Sequence, residues 1–86
     1  MVKKVIKKVD LEKIKSLRKN SNLSLSEMAT LLGYESVNGY YYLETGRGKF
    51  PAETLAKVAT ILNQNVDNLF FEIEVADMAN NSRQAI

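Results

Sequence analysis

The chain has 86 residues, 45% of them apolar, with no cysteine, no histidine and a net charge of only +2. That length is enough for one small domain with a single core. The missing residue types exclude disulfides, thiolate chemistry and imidazole acid/base catalysis, and argue against a zinc site. No apolar run approaches the roughly 20 residues of a membrane span. The basic N-terminus lacks the apolar core of a signal peptide, so a cytoplasmic location is expected. Charge is unevenly spread. Residues 1–57 carry eleven basic and six acidic side chains, a balance of +5, whereas residues 58–86 carry one and four, a balance of −3. One end or face could therefore meet a polyanion.

In chain order, the Val/Ile/Lys stretch at residues 2–9 reads as a short strand or a basic arm. Asp10 suits the N-cap of a first helix, with Leu11, Ile14 and Leu17 on its buried stripe. This helix is expected to fade at Asn20-Ser21-Asn22. Ser24 and Glu27 then form a capping box for a second helix, whose apolar face is Leu25, Met28, Ala29 and Leu32. Gly33 stands where the chain must turn. A third helix is expected from about Ser36 to Thr45. Its Ser, Val, Asn, Gly and Tyr content makes it a poor intrinsic helix, so packing of Tyr40 and Leu43 must hold it. Gly39 either lets a duplex approach or relieves packing against the second helix.

A basic loop follows, Gly46-Arg47-Gly48-Lys49. Pro51 suits the first turn of a fourth helix, with Leu55, Val58, Ala59 and Leu62 on its core face. Asn63 can end it in the left-handed region, and Asn65 can cap a short fifth helix through Leu69 and Phe70. Residues 71–75, Phe-Glu-Ile-Glu-Val, alternate like a strand and could pair with Val5–Val9, bringing Lys7 and Lys8 near Glu72 and Glu74. From Ala79 the chain is polar, and disorder is expected. No constellation of nucleophile, base or metal ligands is present, so no catalytic residue is assigned and an enzyme is not expected.

These residues resemble the Cro/repressor (Xre-type) helix-turn-helix family, especially the short regulators of Gram-positive phages and mobile elements. The resemblance rests on Leu17-Arg18, Leu23, Ser24 to Glu27, Ala29, Leu32-Gly33, Leu43-Glu44-Thr45-Gly46, Leu55, Val58-Ala59, Leu62, Asp67 and Leu69-Phe70. It implies an all-α fold, a five-helix lambda-repressor-like bundle over residues 10–71, flanked by an arm or strand at 1–9 and a tail at 72–86. The two flanks could form a small two-stranded sheet.

The resemblance also implies roles. The partner would be double-stranded DNA, bound by a homodimer acting as a transcriptional repressor, without cofactor, metal, membrane or small-molecule substrate. Base contacts fall on Ser36, Val37, Asn38 and Tyr42. Phosphate contacts fall on Ser24, Ser26, Thr45, Arg47 and Lys49, and Tyr41, read as turned outward once Tyr40 takes the core, is added to them. Arg18 and Glu44 match the family's buried ion pair. Leu69, Phe70, Phe71, Ile73 and Val75 are too apolar to remain in water together, so dimerisation is expected there. A protein partner, an anti-repressor or the toxin of an antitoxin pair, stays open, as does an adaptor that has lost DNA affinity.

Three features depart from the family, one being that Arg and Gln are absent from the expected recognition face, which leaves the bidentate base contacts to Asn38 alone. The segment from Gly33 to Leu43 is one residue longer than its commonest spacing. Leu25 stands where the family often has a phosphate-binding glutamine.

Overall fold

The computed structural model describes residues 4–75. It runs β1 (Val5–Val9), α1 (Leu11–Asn20), α2 (Leu25–Leu31), α3 (Val37–Glu44), α4 (Ala52–Ile61), a 3₁₀ turn (Val66–Leu69) and β2 (Phe70–Glu74). The expected disorder from Ala79 lies outside these residues.

The helix starts follow local chemistry. The Asp10 carboxylate accepts from the Lys13 N–H at 3.1 Å. At α2 the capping box is complete: the Glu27 N–H donates to Ser24 Oγ at 3.0 Å and the Ser24 N–H donates to Glu27 Oε1 at 2.9 Å. Hydrogen bonds from the Ser24 N–H, then from the Ser24 side chain, hold the Glu27 carboxyl below its ordinary range. The cap therefore stabilises α2 at neutral pH and is lost as pH falls through the lowered value. Pro51 stands one position before α4, as its cap rather than within its first turn.

All four helices stop in one way. A residue with positive φ follows the cap: Asn22 at 60°, Gly33 at 87°, Gly46 at 84° and Asn63 at 57°. The next residue's N–H then returns to the carbonyl five positions back, as in Leu23 to Arg18, Tyr34 to Ala29, Arg47 to Tyr42 and Gln64 to Ala59. This is the Schellman arrangement. It satisfies the terminal carbonyls and turns the chain sharply enough to cross α2 with α3.

One core holds the helices together. Ile14, Met28, Tyr40, Val58 and Leu69 are fully buried, and Ala29, Leu55, Ala59 and Leu62 close around them. The Tyr40 ring meets Phe50 edge-on at 6.4 Å between centroids.

The expected fifth helix is corrected to the single 3₁₀ turn. Among the described residues there are four α-helices. Asn65 makes no side-chain cap, and Val66, Asp67 and Asn68 are middling helix formers. Phe70, expected in that helix, leaves with φ −120° and ψ 157° and opens β2 instead.

The fold is not wholly α, because β1 and β2 form the antiparallel ribbon expected of the flanks. The register pairs Val5 with Glu74, Ile6 with Ile73, Lys7 with Glu72, Lys8 with Phe71 and Val9 with Phe70. Lys7 thus faces Glu72, but Lys8 is paired with Phe71 rather than with an acid. Lys7 Nζ also reaches Asp67 Oδ1 at 3.4 Å. Val9 and Phe70 pack on the core, and the Asp10 N–H donates to the Leu69 carbonyl at 2.7 Å, joining the ribbon to the bundle.

Candidate nucleic-acid interface

The outward side of α3 is built by what its inward side does. Tyr40, Leu43 and Glu44 are buried. With 3.6 residues per turn, Asn38, Tyr42 and Thr45 then share the opposite stripe. The placement agrees. Ser36 and Asn38 are exposed, and Val37, Tyr41 and Tyr42 keep 39%, 37% and 46% of their surface in solvent. Every residue assigned from the sequence to base contact lies on the surface.

Gly39 faces inward, against Tyr34. A Cβ there would come within 2.6 Å of Tyr34 Cδ1 and 2.9 Å of its Cγ. Of the two uses open to this glycine, it serves packing within the bundle. Tyr34 lies in the turn after α2 rather than in α2 itself, where the packing partner was expected. Gly39→Ala is expected to destabilise the fold by about 1 kcal/mol net. Overpacking costs ~1–3 kcal/mol, and the better helix former returns up to ~1 kcal/mol. Adding Tyr34→Ala should abolish that loss; urea unfolding of the four proteins of the cycle checks this.

Beneath the exposed stripe, Arg18 clamps α1 to the end of α3. Its Nε donates to Glu44 Oε2 and its Nη2 to Glu44 Oε1, both at 2.9 Å. Its Nη1 donates to the Leu23 carbonyl at 2.7 Å. Both side chains are nearly out of solvent, at 7% and 4%. Hydrogen bonding to Glu44 raises the Arg18 pKa against the opposing effect of burial. Burial, then the neighbouring Glu44, raises that of Tyr40. The expected structural pair is therefore present, and it fixes the angle of α3.

Around the stripe the polar groups differ in how they are held. Ser24 Oγ accepts from the Glu27 N–H within the capping box. Ser26, Arg47 and Lys49 are exposed. The Thr45 hydroxyl, also exposed, donates to the Tyr41 carbonyl at 2.8 Å.

Arg47 lies over the Tyr42 ring, its Cζ 5.8 Å from the centroid. The two residues are brought together by the Schellman turn, in which the Arg47 N–H bonds the Tyr42 carbonyl at 2.9 Å. The signal for the pairing was Gly46: once it is taken as the positive-φ residue, the turn brings Tyr42 and Arg47 close together.

The sequence reading also passed over Lys15 and Lys19. A cleft of about 470 Å³ separates α1 from α3, and Lys15, Lys19, Leu25 and Tyr41 line it. Their spacing of four residues on the side of α1 away from Ile14 was the available signal.

One tail assignment is corrected: Leu69 is fully buried in the monomer's own core and is not free for a second subunit, while Phe70 is partly buried against that core. Phe71 is 45% exposed, and Ile73 and Val75 are partly so.

A helix-turn-helix family model, HTH_3, matches residues 14–69 of the chain. The chain belongs to that family. Among solved structures, a similar one is described as the crystal structure of the master regulator for biofilm formation SinR in complex with DNA. It is 30% identical, with a TM-score of 0.59, covering 69% of this chain and 94% of that one. Comparison with curated proteins returned no match. The helix-turn-helix match begins within α1 and ends with the 3₁₀ turn, so β1 and β2 lie outside it. No helix among the described residues is long and apolar enough to cross a membrane. No group of three or more His, Cys, Asp or Glu among them could hold a metal ion.

Proposed function

We propose that this protein is a sequence-specific DNA-binding transcriptional regulator, a repressor that binds a two-fold operator as a homodimer. The observation that carries the reading is the outward stripe of α3. Asn38 and Tyr42 are presented to solvent by a helix whose other side is clamped through Arg18 and Glu44. Family membership and the likeness to SinR, whose structure was solved with DNA, support the same reading.

The chemistry follows from the side chains. The Asn38 carboxamide can donate to adenine N7 and accept from its N6 amino group only by presenting both its halves, the bidentate contact available in the major groove. Val37 suits a thymine methyl. Tyr42 carries Arg47 beside the groove, and Ser24, Ser26, Tyr41, Arg47 and Lys49 supply phosphate donors. Two recognition helices of a dimer would enter successive major grooves about 34 Å apart.

The surface available to a second copy is the outer side of the ribbon. Ile6 and Ile73 are cross-strand partners there, beside Phe71, and Ile6 and Phe71 are 38% and 45% exposed. Phe71→Lys is expected to shift the protein from the mass of two chains to that of one in sedimentation equilibrium. A wild-type protein already at the mass of one chain would count against the dimer. Titration of a mixed-sequence duplex at low salt tests the reading as a whole. Binding that weakens steeply with salt is expected, and no detectable binding at 50 mM salt would reject it.

A further inference from the structure

Strand β1 has two edges, and β2 occupies one of them. The printed ladder fixes what the other edge presents. The Val75 N–H donates to the Lys4 carbonyl at 2.8 Å, and the Asp10 N–H donates to the Leu69 carbonyl at 2.7 Å. Both bonds continue the register that pairs Val5–Val9 with Phe70–Glu74. Bonding alternates along an antiparallel pair, so Lys4, Ile6, Lys8 and Asp10 turn their backbone toward β2. Val5, Lys7 and Val9 turn theirs away. Among the described residues, none of these outward N–H and C=O groups has a partner.

A cleft of about 490 Å³ flanks this edge. Three consecutive residues of β1, Lys7 to Val9, line it, and none of β2 does. Leu11 and the loop after α3, with Lys49 and Phe50, supply the remainder. An added strand therefore finds both a row of backbone partners and an apolar recess at the Val9 end.

Charge selects the occupant. The cleft is lined by three lysines and no acid. A second β1 would set lysine against lysine, which destabilises a pair of strands. The strand already on the other edge, Phe-Phe-Glu-Ile-Glu, shows the composition that β1 accepts. The β2 of a second copy has that composition too, but its pairing with β1 repeats head to tail and does not close on a two-fold axis.

We propose that the open edge of β1 takes an extended segment of a partner protein, alternating apolar and acidic residues, as a third strand that ends in this cleft. Main-chain bonds hold such a strand, and its side chains select it. The site is distinct from the outward stripe of α3 and from the outer face of the ribbon. Its test contains no DNA, so it stands apart from the DNA-binding reading.

The probe is a capped synthetic peptide, Phe-Phe-Glu-Ile-Glu-Val, added to the full chain, with amide hydrogen exchange followed by NMR. In the protein alone, Val5 and Lys7 should exchange quickly while Ile6 and Lys8 are protected. At a peptide concentration about ten times its Kd, Val5 and Lys7 should slow about tenfold. The same peptide with lysine for both glutamates should bind about tenfold more weakly. Lys7→Pro removes a donor that faces away from β2, so the ribbon should persist and peptide binding should be lost. Lys49→Glu, which leaves the ribbon untouched, should also weaken binding. Val5 and Lys7 already slow without peptide would overturn the proposal, by showing the edge covered. So would the absence of any slowing at about 1 mM peptide, or equal binding of the acidic and basic peptides.

Discussion

Replacing Glu44 by alanine is expected to cost about 3–5 kcal/mol of folding stability. The estimate follows from what the substitution leaves behind. Arg18 would keep its positive charge at 6% exposure with one remaining acceptor, the Leu23 carbonyl. Two charge-assisted hydrogen bonds would vanish. Folded domains have only about 5–15 kcal/mol in hand, so the variant should be partly unfolded near physiological temperature. Urea unfolding followed by circular dichroism measures this. Arg18→Met combined with Glu44→Leu should be more stable than either single variant, because it removes the orphaned charge together with its cause. A loss below about 1 kcal/mol for Glu44→Ala would mean the pair does not hold α3.

Asn38→Ala is expected to reduce discrimination between operator and random duplex by about 1–3 kcal/mol. Asn38 is exposed and lies on the outward stripe of α3, away from the core. Folding stability should therefore change little, which separates this effect from that of Glu44→Ala. Competition titration on the two duplexes gives the result directly. Equal weakening on both would show that Asn38 meets the backbone and reads no base.

Much of this arrangement was legible in the residues because it is local. A capping box at Ser24 and Glu27, glycine after Leu32 and a core stripe at Leu55, Val58, Ala59 and Leu62 each act over one or two helical turns. The outward setting of Asn38 and Tyr42 followed once Tyr40 was assigned inward. What escaped depends on distant neighbours or on small energy differences. The stretch after Asn65 is too short and too poor in helix formers to make an α-helix, and Leu69 is drawn into the core while Phe70 is claimed by β1. Gly39 had two uses of similar merit, and only the position of Tyr34 decides between them. The bond from the Thr45 hydroxyl to the carbonyl four residues back was not marked by any pattern in the residues. The cleft between β1 and the loop after α3 joins residues some forty positions apart, which no periodicity reveals.

The central claim is that α3 reads a DNA sequence with its outward face. Selection of bound sequences from a random duplex pool tests it most directly. The account predicts an enriched palindrome whose half-sites lie about one helical turn apart, with an adenine whose selection is lost in Asn38→Ala. Recovery of no preferred sequence, from a protein shown to be folded and at low salt, would contradict it.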